Sequence, residues 1–191
     1  MFPPRFTPIL QEMEPLAALF REAGHRLFLV GGSVRDLLLG DTDAGTDLSL
    51  IDFDATTTAT PDQIKKIVQP IADALWTQGE RFGTIGLKIG ERTYEITTHR
   101  AEAYSPDSRK PEVQFATDIE TDLSRRDFTI NAMALELTTD TPELVDPFGG
   151  LADLMARVLR TPLSAEESFS DDPLRMLRAA RFISQLEVAP D

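Results

Sequence analysis

Cysteine is absent from this sequence of 191 residues. That excludes a disulfide framework and any thiolate-held metal. Histidine occurs only as His25 and His99, too few for a histidine-built zinc centre. No apolar run approaches the ~20 residues that cross a bilayer as a helix. The opening Met1-Phe2-Pro3-Pro4-Arg5-Phe6 lacks the basic-then-apolar pattern of a secretory signal. These absences lead to the expectation of a soluble, cytoplasmic protein with no membrane partner. Positive charge is scarce: 19 Lys and Arg face 32 Asp and Glu, a net charge of −13. Taken alone, that balance argues against a nucleic-acid binder, because phosphate contacts need basic surface. It suits solubility, or a protein that gathers divalent cations. What is present is ordinary for a globular chain. A content of 41% hydrophobic and 27% charged residues excludes wholesale disorder and a fibrous fold.

Residues 1–10 carry three prolines and read as a loose leader. Residues 11–23 have helical periodicity, with Leu16, Leu19 and Phe20 on one face and Gly24 as a stop. Arg26–Val30 reads as a buried strand, Ser33–Leu39 as a helix ended by Gly40, and Asp41–Thr46 as a loop. Leu48–Asp54 reads as a second strand. Pro61 opens a helical stretch to about Leu75, with a kink expected at Pro70. Thr84–Ile89 and Thr93–Thr98 flank Gly90-Glu91 as a hairpin. Residues 103–112 read as a polar, mobile loop, and helical signals return over 118–135. A turn at Asp146–Gly150 precedes a short helix over 151–157, and Ser170 caps a helix running to about Leu186. The expected fold is α+β, with a leader and helix at 1–24, a catalytic-type domain at 25–161 and a helical segment at 162–191. That last helix has little to pack against, so the expectation is that the native chain continues.

Four motifs carry chemistry. In Leu29-Val30-Gly31-Gly32-Ser33-Val34-Arg35-Asp36 a strand runs through two glycines into a helix. Glycine lets the backbone approach a ligand, helix-start N–H groups favour phosphate, and Arg35 in the first turn can hold a phosphate oxygen. A Gly-Gly pair is equally plain punctuation. In Asp52-Phe53-Asp54, strand alternation puts both carboxylates on one face. Two such carboxylates repel unless a cation lies between them, and Mg²⁺ takes hard oxygen ligands and bridges phosphates. A solvated strand end presents the same pattern. Glu95 lies opposite Tyr94 and Ile96 in its strand and approaches the aspartates if the two strands are neighbours. Arg125-Arg126-Asp127 leads into an apolar helix start that Asp127 or Thr129 could cap, as a phosphate or base grip or as a surface ion-pair cluster. Asp172, Arg175, Arg178 and Arg181, spaced by three, fall along one slanting helical stripe. The stripe is compatible with a merely well-capped helix. An Asp–Arg pair also has the acceptors and donors to read a base edge.

Taken in order, these motifs resemble the class II tRNA nucleotidyltransferase and poly(A) polymerase family of the polymerase-β-like superfamily. The resemblance covers about 25–187 and rests on LVGGSVRDLLLG (29–40), RRDFTINAMAL (125–135), LVDPFGGLADL (144–154) and DDPLRMLRAARF (171–182), with YEITTHRAEAY (94–104) and SRKPEV (108–113) in support. It implies a head domain with a mixed sheet flanked by helices, followed by the start of a helical neck. It implies that Gly32 and Arg35 contact the triphosphate, that Asp52 and Asp54 are catalytic and bind two Mg²⁺, and that Arg126 contacts the nucleotide. Asp172, Arg175, Arg178 and Arg181 would then form a protein template that selects CTP or ATP for addition to a tRNA 3′ end. Two departures stand out. The last motif begins Asp171-Asp172 where the family usually has Glu-Asp. The stretch from Gly40 to Asp52 is long and contains Asp47-Leu48-Ser49, a rival register for the metal pair; the distance to Pro61-Asp62-Gln63-Ile64 favours Asp52 and Asp54. CCA addition, poly(A) synthesis, partial CCA addition and an inactive nucleotide- or RNA-binding fragment all stay open. The acidic balance then means that RNA is gripped mostly by sequence beyond residue 191, and that the 191-residue piece transfers weakly or not at all.

Overall fold

The computed structural model describes residues 3–40, 53–103 and 112–191. A 3₁₀ turn at Pro4–Phe6 leads directly into helix α1, Thr7–Glu22. The expected leader is therefore ordered from Pro3 onward. Its prolines stand in the first turns, where a missing N–H removes no helical bond, and Phe6 and Ile9 are fully buried. Strand β1 (Leu27–Val30) is followed by α2 (Gly32–Leu39), β2 (Phe53–Thr57) and α3 (Pro61–Val68). Thr60 and Gln63 close a capping box on α3. That helix stops at Val68 rather than kinking and running on to Leu75. Pro70 has no N–H to donate to the carbonyl one turn back, and Ala74–Trp76 forms strand β3 instead.

Strands β4 (Thr84–Ile89) and β5 (Arg92–Thr98) form the expected hairpin. A second hairpin, β6 (Arg100–Ala103) with β7 (Glu112–Phe115), stands apart from the main sheet and was not legible in the sequence. Helix α4 (Ile119–Ser124) is the only α-helix between 118 and 135. Residues Thr129–Asn131 make one 3₁₀ turn and Ala134–Glu136 is strand β8. β8 lies inside the sheet and is buried throughout, so the apolar run Ala132–Leu135 that leads through it cannot be told from a buried helix by periodicity. Strand β9 (Glu143–Val145) and helix α5 (Gly150–Ala156) follow. Strand β10 (Val158–Leu159) precedes helices α6 (Ala165–Asp171) and α7 (Leu174–Leu186), and β11 (Ala189–Pro190) returns parallel to β10. Ser170 is not an N-cap. It lies inside α6, which Ser164 caps by accepting the Glu167 N–H. Asp172 is extended, as a residue before proline should be, so the helix breaks at Asp172-Pro173.

The main sheet has the order β3-β4-β5-β2-β1-β8-β9. It is mixed: β2 runs parallel to β5 and antiparallel to β1. Leu27 and Leu29 face a core built with α1, including Met13, Leu16 and Phe20. Phe28 and Val30 face the other side, with Ile119, Leu123 and Ala132. β1 is thus buried on both faces, which explains its unbroken apolar run. α7 packs against the preceding segment through Phe182, 2% exposed, whose ring meets Phe128 edge-on at 5.8 Å.

Candidate active site

Asp54 and Glu95 are register partners on the parallel strands β2 and β5. Adjacent strands lie about 4.8 Å apart, and partnered residues share a face. Both line one cavity of about 230 Å³ with Val30, Thr84, Thr97, Arg100, Asp122 and Arg126. The cavity lies on the Phe28–Val30 face of the sheet, away from α1. The approach of Glu95 to the acidic strand is therefore realised for Asp54. Asp52, the rival Asp47-Leu48-Ser49 register, the loop at 41–46 and the first part of the expected strand from Leu48 lie outside the described residues, as does 104–111 of the expected polar loop.

The double glycine sits at the cavity's edge. Gly31 has φ +72°, a conformation glycine takes without penalty. A methyl group placed on it would stand 3.2 Å from Nη1 of Arg126, and one placed on Gly32 would stand 3.4 Å from Nη2 of Arg35. Two guanidiniums therefore flank the bend, and no side chain caps the first turn of α2. Each arginine is held. Arg126 Nη2 pairs with Asp122 at 3.3 Å. Arg35 bonds Asp36 at 2.7 Å and donates to Asn131 Oδ1 at 2.6 Å.

Asp122 and Asn131 were not singled out from the sequence, although both left a signal. Asp122 stands four residues before Arg126, the helical spacing of an ion pair, and Asn131 stands four after Asp127. Asp122 is 4% exposed and also accepts the Arg100 N–H at 3.0 Å. Asn131 donates to Asp127, which accepts the Phe128 N–H as well. The same Asp127 carboxylate takes both Nε and Nη2 of Arg178 at 2.7 Å.

The stripe Asp172, Arg175, Arg178, Arg181 is only partly one helical face. Asp172 precedes α7 and accepts the Leu174 N–H at 3.0 Å. Arg175 donates to the Arg125 carbonyl at 2.6 Å and to Ser168 Oγ at 2.7 Å. The guanidiniums of Arg35, Arg178 and Arg181 surround the Phe182 ring at 5.3, 5.9 and 4.9 Å from its centre. Thus Arg175 and Arg178 turn onto the Arg125–Asp127 segment, and Arg35 joins Arg178 and Arg181 around the Phe182 ring.

Behind the acidic pair, His99 is fully buried. Its Nδ1 is 2.8 Å from Thr56 Oγ1, whose own proton goes to the Thr97 carbonyl at 3.0 Å. Burial pushes this imidazole down to about 4, so it is neutral at pH 7 and ties β2 to β5 next to Asp54 and Glu95.

The donor chemistry fits a hard divalent cation. Asp54 and Glu95 offer carboxylate oxygens on one face of one cavity, the ligand type that Mg²⁺ takes. Among the described residues no group of three or more His, Asp and Glu is gathered for a metal. Nor is any described helix long and apolar enough to cross a membrane.

Comparison with known proteins gives a consistent result. Residues 27–160 match the family model described as Poly A polymerase head domain. A CCA-adding enzyme of Bacillus subtilis is 43% identical over 173 residues, covering 90% of this chain and 40% of the relative. A CCA-adding enzyme of Staphylococcus aureus is 38% identical over 179 residues, covering 93% of this chain and 41% of the relative. The Bacillus stearothermophilus CCA-adding enzyme in complex with CTP superposes with a TM-score of 0.77 at 33% identity, over 100% of this chain and 42% of that one. The Thermotoga maritima enzyme complexed with tRNA gives 0.75 at 32% identity, over 96% and 39%. The chain spans about two fifths of the length of the curated relatives it matches. On the strength of the sheet, the cavity and these matches, the chain belongs to the poly(A) polymerase head-domain family.

Proposed function

We propose that this chain carries the catalytic head, residues 25–161, and the start of the neck, residues 162–191, of a cytoplasmic tRNA nucleotidyltransferase that adds C and A to tRNA 3′ ends from CTP and ATP. The observation that carries the reading is the register of Asp54 on Glu95 inside a cavity that also holds Arg126 beside the Gly31-Gly32 bend.

The reaction forms a bond between the RNA 3′-oxygen and the α-phosphorus, and breaks the bond to pyrophosphate. Asp54, with Asp52 two positions earlier in the sequence, would hold Mg²⁺, and Glu95 stands as a third carboxylate. Bound Mg²⁺ neutralises phosphate charge and acidifies the attacking hydroxyl. Gly32 brings backbone close to the triphosphate, and Arg35 and Arg126 donate to its oxygens. Asp122 and Asn131 fix those two guanidiniums before the nucleotide arrives, so less ordering is needed when it binds. Asp172, Arg175, Arg178 and Arg181 would present an acceptor and donors to the base, with Arg175 and Arg178 also holding α7 on the Arg125–Asp127 segment. Mutual positioning and charge placement are thus the chain's main tasks.

The test is a transfer assay of the full-length protein with tRNA lacking its 3′ CCA, Mg²⁺, and CTP and ATP separately and together. Incorporation of both C and A, abolished by chelation of Mg²⁺ and reduced at least about a hundredfold in Asp54→Ala, is the expected result. Addition of A alone to any RNA end would reassign the chain to poly(A) synthesis. No transfer by the wild type would end the reading.

A further inference from the structure

We propose that Phe82 and Phe115, beside Arg100, form the stacking platform that receives the single-stranded 3′ end of the RNA acceptor. This deepens the reading above by locating the partner on the opposite side of the acidic pair from the triphosphate.

In an in-line displacement the attacking and leaving oxygens lie on opposite sides of the phosphorus. The double glycine and Arg35 follow β1, and the acids sit on β2 and β5, its successive neighbours in the sheet. Pyrophosphate therefore departs toward β1, and the RNA 3′-hydroxyl must enter over the next strand, β4. At the start of β4 the structure presents two exposed aromatics. Phe82 is 44% and Phe115 48% exposed; they are the only aromatics among the large exposed apolar side chains of the described residues.

Both are tied to the cavity. Arg100, which lines it, is the register partner of Phe115 and donates from Nη1 to the Phe82 carbonyl at 3.4 Å. Gly83, between Phe82 and the cavity-lining Thr84, has φ +85°, and a methyl group there would come within 2.9 Å of Phe115 Cε1. The absent side chain lets the Phe115 ring lie on the backbone beside Phe82. The Arg81 guanidinium stands 4.4 Å from the centre of the Phe82 ring, a flat cation that can itself stack on a base. Aromatic faces with adjacent arginines are the recurring means of holding unpaired nucleotides: rings take bases of any sequence, and guanidiniums meet phosphates. In a chain of net charge −13, such local cations matter for attracting RNA at all.

The experiment uses the full-length protein and an RNA acceptor hairpin whose unpaired 3′-terminal base is 2-aminopurine. Wild type should quench the fluorophore on binding. In Phe82→Ala/Phe115→Ala the quenching should be lost and the KM for RNA should rise about tenfold, with the KM for CTP and the thermal midpoint unchanged. Phe82→Tyr/Phe115→Trp, which keeps stacking faces, should restore both readouts. Quenching and RNA KM unchanged in the alanine double variant overturn the inference, as does a rise confined to the CTP KM. The two readings separate cleanly. Absence of transfer by wild type defeats the proposed activity, whereas the fluorescence comparison judges the platform by itself.

Discussion

Asp127 is the junction at which the head meets α7, and its removal has a calculable consequence. Its carboxylate, 7% exposed, accepts from the Phe128 N–H at 2.8 Å, from Asn131 Nδ2 at 3.0 Å and from the Arg178 fork at 2.7 Å. Asp127→Ala leaves the first two donors buried without a partner, at about 1–3 kcal/mol each. Arg178 is half exposed, so it returns to water, and its share of the loss is at most about 1 kcal/mol. The expected destabilisation is about 4 kcal/mol. For a chain of this size each kcal/mol moves the midpoint by about 2–4 °C, so the variant should melt about 8–16 °C below wild type. Thermal unfolding followed by circular dichroism measures it. Arg178→Met alone should lose about 3 °C, and the double variant less than the sum of the two. A drop under about 3 °C for Asp127→Ala, or strictly additive effects, would refute the view that one carboxylate couples Asn131 to α7.

Two further outcomes follow from the same geometry. His99 is held down at about 4 against 6.5 for a free imidazole, so the unfolded chain binds more protons between those values and stability falls as pH drops through that window. From pH 7 to pH 5 this group should remove about 2 kcal/mol of stability, seen as a falling midpoint in denaturant melts, and His99→Asn should flatten that slope; an unchanged slope would sink the assignment. Gly31→Ala puts a methyl group 3.2 Å from Arg126 Nη1 at φ +72°. It should weaken Mg-CTP binding at least about tenfold by isothermal titration, since an L residue there is strained by about 1–3 kcal/mol; equal affinity would mean that the bend does not place Arg126.

The parts of this molecule that sequence discloses are those set by local chemistry. The β4–β5 hairpin follows from alternation around Gly90-Glu91, and the Gly31-Gly32 bend from what only glycine does cheaply. The approach of Glu95 to Asp54 needed one assumption, that their strands are neighbours, which alternation cannot supply. Where tertiary burial overrode period, the reading failed. Ala132–Leu135 is an unbroken apolar run because strand Ala134–Glu136 lies between two other strands, and that run imitates a buried helix. The leader was misread because three prolines outweighed Phe6 and Ile9, whose burial depends on residues far along the chain. Asp122 and Asn131 escaped notice because their role is to hold another side chain, and such a role shows only once both partners are placed.

The return of Ala189–Pro190 to Val158–Leu159 changes what kind of attachment α6 and α7 have. A segment fastened at one end can sweep a wide arc. This one is stitched down at both ends, with Arg157–Glu187 and Arg160–Asp191 as flanking ties. Any rearrangement of α7 is therefore confined to rocking about that seam, with Phe182 as its fulcrum. Opening the seam would free the far end of the helix.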